Sequence, residues 1–538
     1  MIEATKVQVQ SPIHYRYVQD EKFQPQFFEY EKTQVAYEQR IQDLKERTYP
    51  YDELYQIIYQ TMASTGGLTE QTKAYLEEIQ QHRALFVVGG QQAGLLTGPL
   101  YTVHKALTAI LLARDIRATY DVAAVPLFWV AGEDHDIEEV NHTYVPREGR
   151  AQKVNGPYMF NDRRIVSETV YDATEMKRFI ELIFRQFPET EETKPLFQKV
   201  MQAMEEEQTY TRFFLRLMND LFKEEGLLYI DAADPAFKNI QSEALSQMIT
   251  FEKEINDSVR KKERELNEVM EVSPIALERS NSNLFYVHEG ERYLIRRTSQ
   301  KNYEADYKMW SGTKEDLLNL ARTCPKCLSN NVVTRPLMQE AMLPTLAFVA
   351  GPGEIAYWAL LKEAFHLMEL KMPIIEPRLS LTLITRPVQR ALKQVGLTAE
   401  EVLEQRLPKY VTSWKKEQQN EAFLRELTET KQMLYERYDH LLGTTEEVAL
   451  QQSIKRNYEY HLKQFTWLEN REKQLMMERN KTKIQQFQLI EEQVYPDFQL
   501  QERLFSPYGY INQFGRNFIK ILLSYEYTFG GEHQILYL

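Results

Sequence analysis

Apolar residues in this chain come in short unbroken runs, and five of the runs stop abruptly at glycines, carboxylates or amides. They are LFVVGGQQ (85–92), VPLFWVAGEDHD (126–136), LLYIDAAD (227–234), LPTLAFVAGPGE (343–354) and MPIIEPR (372–378). Apolar runs of this length without alternation fit strands buried on both faces, as in a parallel sheet covered by helices. Ligands of open parallel sheets bind just beyond the carboxyl ends of the strands. Each of the five runs carries its polar chemistry at that end. The pattern therefore predicts an α/β core with a ligand site along one sheet edge.

The intervals between the runs set the organisation. Residues 1–83 read as largely helical, and a helix from about Pro99 to Arg114 joins the first two strands into a βαβ unit. These segments make up 1–145, the N-terminal helices and the first half of the core. A first insertion spans 146–225, with amphipathic helices expected around 174–187 and 195–224. A core strand and helix follow in 226–250. A second insertion, 251–340, holds a charged helix (251–270), a strand pair within 284–297 and a polar stretch around 302–333. The second half of the core occupies 341–390.

Beyond Pro387 the pattern changes period. From about Thr398 to Glu492 the only proline is Pro408 and the only glycine Gly443, in a stretch dense in helix formers. Ile454, His461, Leu468 and Leu475 recur every seven residues, with Tyr458 and Phe465 four beyond the first two. Phe423, Leu427, Leu434, Tyr438 and Leu441 form a similar seam before Gly443. Two long helices with a tight turn make an antiparallel coiled-coil hairpin, so 391–498 is read as a dimerisation arm. The aromatic segment 499–538 ends in a strand-like run and is expected to pack back on the core.

Composition narrows the function. The 538 residues are 43% hydrophobic and 12% aromatic, enough for a large core with insertions. No apolar stretch approaches the roughly 18 residues of a spanning helix, and the mean hydropathy of -0.51 fits that reading. The N-terminus lacks the basic start and apolar core of a signal peptide. Two cysteines supply no disulfide framework, so the cytoplasm is the expected compartment. A net charge of -13 argues against a large nucleic-acid surface. Small-molecule chemistry is the expectation that remains, with neither nucleic acid nor membrane as a partner.

Three strand ends carry candidate chemistry. In GGQQAGLLTGPLYTVHK (89–105) a strand ends, a glycine-rich turn follows and a helix begins. Thr97 reads as its N-cap and Pro99 as a first-turn residue. Such a helix start suits a phosphate or carboxylate, with Lys105 two turns in. It is neither a P-loop nor G-x-G-x-x-G. In GEDHDIEEVNH (132–142), Glu133, Asp134, His135 and Asp136 are candidate acid–base residues, and the spacing matches no zinc motif. An acidic helix start alone accounts for Glu138 and Glu139 but not for His135 or Asn141. In AGPGEIAYW (350–358) the glycines permit close approach of a ligand to the backbone, and Glu354 either supports the helix dipole or holds a hydroxyl. Arg378, closing the fifth run, can clamp a carboxylate. Cys324 and Cys327 lack the further ligands zinc needs and are read as two ordinary thiols.

FVVGGQQAGLLTGPLYTVHKALTAILLAR, VPLFWVAGEDHDIEEVNH, LPTLAFVAGPGEIAYW and PIIEPR together resemble the cysteine ligases of bacillithiol biosynthesis, over essentially the whole chain. The resemblance implies a Rossmann-like core with two connecting-peptide insertions and a coiled-coil arm that forms a homodimer. It implies the last step of that pathway, an amide joining cysteine to the amino group of glucosaminyl-malate. Its motifs fall on Gly90, Gln91, Gln92, Thr97, Gly98, Tyr101 and Lys105, on Glu133, Asp134, His135, Asp136 and Asn141, and on Gly351, Gly353 and Glu354. The His-x-Gly-His and Lys-Met-Ser-Lys-Ser signatures of related class I synthetases are absent. The cofactor is therefore open: ATP or another nucleotide can activate the carboxylate through other residues, or another donor is used. Two other readings also stay open. One is a nucleotidylyl transferase or class I synthetase-like enzyme acting on another substrate, and the other is a non-catalytic dimeric scaffold.

Overall fold

Five parallel strands form the centre of the computed structural model, which describes residues 2–5, 11–147, 149–157, 163–298 and 302–538. They are β1 (Leu85–Gln91), β2 (Ala124–Val130), β3 (Leu228–Asp231), β4 (Thr345–Ala350) and β5 (Ile374–Pro377). Their order across the sheet is β5-β4-β1-β2-β3. All neighbours pair in parallel, with Gly90 opposite Trp129 and Val349 opposite Glu376. Every residue of β2, β4 and β5 is buried, as strands covered on both faces require. The five apolar runs are thus the five strands of one sheet.

Helix α1 (Leu100–Tyr120) returns the chain from β1 to β2 and outlasts the expected end at Arg114. Ile116 is buried, and Arg117 pairs with Glu78 at 2.7 Å while donating to the Ala124 carbonyl, which holds the last turns in place. In the first insertion the segment 195–224 is two helices, Thr193–Glu206 and Tyr210–Phe222, where one was expected. Thr209 accounts for the break, because its side chain caps the Arg212 N–H and starts the second helix. The second insertion contains the helix Glu252–Met270 and a five-stranded antiparallel sheet. Its edge strand, Leu328–Asn330, pairs with Asn281–His288.

Cys324 and Cys327 are joined by a disulfide, which corrects their reading as ordinary thiols. Cys324 ends the helix Lys314–Thr323, and the 3-10 turn Pro325–Cys327 brings the two Cα atoms within 5.4 Å. Close to the C-terminus, His533–Tyr537 forms a strand between Ile2–Ala4 and Ser380–Ile384.

The chain divides into two compact units. One takes in 1–147, 151–383 and 499–537, and the other takes in 148–150, 384–498 and 538. Helices Glu421–Gly443 and Val448–Arg479 of the second unit pack as a hairpin, tied by a Lys431–Glu469 ion pair and by contacts of the Tyr438 ring with Tyr458 and His461. Leu427 and Met476 are buried. Leu441 and Leu475, placed in the seam by their spacing, are 47% and 38% exposed. A two-helix hairpin covers only one stripe of each helix, and these two side chains fall outside it. Among the described residues no helix is long and apolar enough to cross a membrane.

Candidate functional site

The strand order fixes where a ligand can enter. From β1 the chain builds outward first to β2 and β3 and later, on the opposite side, to β4 and β5, so the connections diverge between β1 and β4. At the carboxyl ends of those two strands lies a cavity of about 420 Å³. Gly90 and Gln91 line it from β1, Gln92 from the turn after it, Tyr101 and Lys105 from α1, and Asp134 and Glu139 from the segment after β2. Gly351, Gly353, Glu354 and Arg378 line it after β4 and β5, and Trp129 and Phe348 add apolar surface. Gly90 is sterically required, since a Cβ there would lie 2.9 Å from the Trp129 carbonyl oxygen.

Cations dominate the walls, and most are held by carboxylates. Lys105 Nζ lies 2.5 Å from the Glu354 carboxylate and donates to the Gly90 carbonyl and to Gln91 Oε1. Burial pulls the Lys105 pKa down, with Glu354 opposing. Glu354 also accepts from the Gly351 N–H at its helix start, the helix-supporting role foreseen for it. Arg335 and Arg292 both bind Asp134, at 2.9 and 3.2 Å. Burial raises the Asp134 pKa, but Arg335 and Arg292 outweigh it and hold the carboxyl below its usual range. Arg378, the expected clamp, does grip a carboxylate with both arms, and that carboxylate is Glu502 of the same chain, at 2.6 and 2.9 Å. Arg378 also lies 5.7 Å from the Tyr101 ring centroid. Arg503 is the exception: it is exposed, lines the cavity and makes no ion pair among the described residues. Partial burial raises the pKa of Glu139, a hydrogen bond from Gln92 lowers it, and the Asp136 and Asp134 charges raise it again, for a net upward shift.

Other candidates lie outside this cavity's lining. Thr97 is not the N-cap of α1; it sits at φ +65° in the 3-10 turn Leu95–Thr97, and its hydroxyl donates to the Leu96 carbonyl. Pro99 occupies the cap position rather than the first turn, and the Leu100 N–H donates to the Phe505 carbonyl. That helix start is therefore partly satisfied by the protein. Gly98, at φ +72°, belongs to the same turn. Glu133 is buried against Lys238 at 2.5 Å. The His135 ring packs edge-on to Phe285 with Arg292 Nη1 at 3.4 Å from Nδ1, and Asp136 is exposed. Asn141 is buried and accepts from the Tyr210 hydroxyl at 2.7 Å.

Arg335, Arg503, Arg292 and Glu502 were absent from the sequence-based candidates. Arg335 and Arg503 stand in ordinary polar surroundings, and only tertiary contacts bring them to the β1–β4 crevice. Glu139 was visible, but as a residue explained by its helix start.

Two family models match the chain. Residues 1–379 match the N-terminal Rossmann-like domain of bacillithiol biosynthesis BshC, and 381–538 match its C-terminal coiled-coil domain. The chain is 39% identical to a protein of Lysinibacillus sphaericus over 517 residues, covering 95% of each. A Geobacillus protein is 34% identical over 502 residues, covering 93% of this chain and 92% of the relative. One from Bacillus licheniformis is 32% identical over 536 residues, covering 98% of each. All three carry the provisional name cysteine ligase BshC.

Proposed function

Because the chain belongs to the BshC family of bacillithiol biosynthesis, we propose that it is a ligase joining the carboxyl group of cysteine to the amino group of glucosaminyl-malate through an amide bond, the last step of that pathway. The observation that carries this reading is the mixed charge of the β1–β4 cavity, with a cationic wall and one carboxylate of raised pKa at its mouth.

A malate group brings two carboxylates. Arg503, which has no ion pair among the described residues, and Lys105, which an anion can draw from Glu354, are the cations suited to them. Trp129 and Phe348 offer apolar surface for the sugar ring. The sugar amine has to lose a proton as it attacks the activated carboxyl, and Glu139 is the base we assign. A general base works best when its pKa approaches the operating pH, and Glu139 is shifted upward. Asp134 is shifted the other way by two arginines, and His135 packs on Phe285 away from this lining. Holding amine and carboxyl in one cavity converts a bimolecular step into a local one. The arm is the surface we assign to homodimer formation, and the cytoplasm is the compartment in which we place the reaction.

Mass spectrometry of the purified protein with glucosaminyl-malate and cysteine, with and without ATP and magnesium, tests the reading. The cysteinyl amide is expected in at least one arm. Its absence from all of them, with the substrates intact, contradicts the assignment.

A further inference from the structure

Cys324 and Cys327 are the only cysteines of the chain, and they close on each other across Pro325 and Lys326. A loop so short restricts the unfolded chain little compared with a long one, which makes a purely stabilising role a weak account of the bond. Both cysteines are half-buried, and disulfides within reach of solvent are the labile ones. In a reducing cytoplasm, the compartment assigned above, a disulfide is usually transient or redox-sensing. Cys327 lines a second cavity, of about 360 Å³, together with Tyr286, Val287 and Lys326. Cys324 is not part of that lining, so the sulfur that faces the cavity is Cys327 Sγ.

The chain that follows Cys327 holds the polar groups behind the β1–β4 cavity. In the buried strand Leu328–Asn330, the Leu328 carbonyl accepts from Lys238 at 3.2 Å. The Ser329 hydroxyl and the Asn330 N–H donate to Glu133 at 2.9 and 3.2 Å, and the Asn330 carbonyl accepts from Arg292 at 2.5 Å. Asn331 then accepts from the Val333 and Thr334 N–H groups, at the start of the helix that brings Arg335 to Asp134. Arg292 and Arg335 are the two cations that hold Asp134 in the cavity wall. Upstream, the strand is anchored by the turn Pro325–Cys327, which is closed by the disulfide and by the bond from the Cys327 N–H to the Cys324 carbonyl. We propose that the Cys324–Cys327 disulfide, open to the second cavity, is an exchange site for a low-molecular-weight thiol. Opening it loosens the hold of 328–335 on Glu133 and Asp134 and slows the chemistry of the β1–β4 cavity. The small thiolate attacks Cys327 Sγ, the bond between the cysteines breaks, and Cys324 leaves as a thiolate that takes a proton from water. A second small thiolate attacks the sulfur now attached to Cys327, which releases the small thiol's disulfide dimer and the Cys327 thiolate. Two small thiols thus supply the two electrons, and the reverse exchange, with that dimer as oxidant, closes the site again.

Cysteamine is the probe, with the full chain. Intact-mass measurement after alkylation should show no modified cysteine before cysteamine and two after it. Hydrogen–deuterium exchange of the opened protein reads the coupling. The backbone N–H groups of 328–335 should exchange at least about fivefold faster, the lower end of ordinary coupling between sites, with those of β1 unchanged. The double variant Cys324→Ser, Cys327→Ser should show the faster exchange with and without cysteamine. The effect on rate rests on the ligase reading: without cysteamine, the double variant should form the cysteinyl product at least about fivefold more slowly than the wild type. Alkylation before cysteamine, a disulfide that cysteamine leaves closed, unchanged exchange of 328–335 after opening, or equal rates of product formation each overturns the proposal. No product from either protein overturns the ligase reading alone, and the mass and exchange measurements then decide this one.

Discussion

At the sheet edge, charge is buried and matched: Lys105 with Glu354, Arg378 with Glu502, Glu133 with Lys238. In the helical arm the exposure is reversed. Its ion pairs lie at the surface, and large apolar side chains stand in water, among them Trp467 at 60% and Val448 at 66% exposure. A buried pair is held by partners far apart in sequence and tolerates the loss of neither. A surface pair is screened, and what it contributes is small. The sheet edge thus places charge precisely, and the arm leaves apolar side chains exposed.

Experiments that break this contrast follow from the largest effect down. Glu139→Gln should lower kcat by about 10²- to 10⁴-fold, the usual range for a lost general base, with an unchanged far-ultraviolet spectrum. Because burial raises the Glu139 pKa, wild-type kcat/KM should fall on the acid side at a pH above that of an ordinary glutamate. Replacing Glu502 by Gln strips the charge from a fully buried partner of Arg378. Urea unfolding should show a loss of about 3–5 kcal/mol. Lys431→Ala removes the same kind of interaction from the arm, where both side chains are about a quarter to a third exposed, and should cost no more than about 1 kcal/mol.

The pH dependence of stability sharpens the same contrast. Burial holds His14 and His533 neutral, with pKa values of about 4 against the ordinary 6.5. The unfolded chain therefore binds more protons than the fold between those values. Their contribution to stability is complete above about 6.5 and is lost as the pH falls towards about 4. The double variant His14→Gln, His533→Gln should flatten the urea midpoint against pH in that window. The smallest effect is expected from Trp467→Glu, which should weaken self-association in sedimentation runs while leaving the urea midpoint of the sheet-bearing unit unchanged.

The five strands were legible because a continuous apolar run closed by glycine or a carboxylate is a local signal. The arm was legible for the same reason, through its seven-residue period. That period still placed Leu441 and Leu475 in the seam, because spacing does not say which stripe of a helix its neighbour covers. Thr97 has the chemistry of a cap, and only its positive φ, set by the Leu95–Thr97 turn, shows that it is not one. Arg378 was visible as an anion clamp, but its partner lies 124 residues away. Arg335 and Arg503 reach the cavity entirely through tertiary packing, which leaves no mark in spacing or composition.

The most direct test is a crystal structure of the protein soaked with glucosaminyl-malate. The malate carboxylates should appear against Arg503 and Lys105 in the β1–β4 cavity, with the sugar amine within hydrogen-bond reach of Glu139. Ordered density for the ligand at any other site, with that cavity empty, would contradict the assignment.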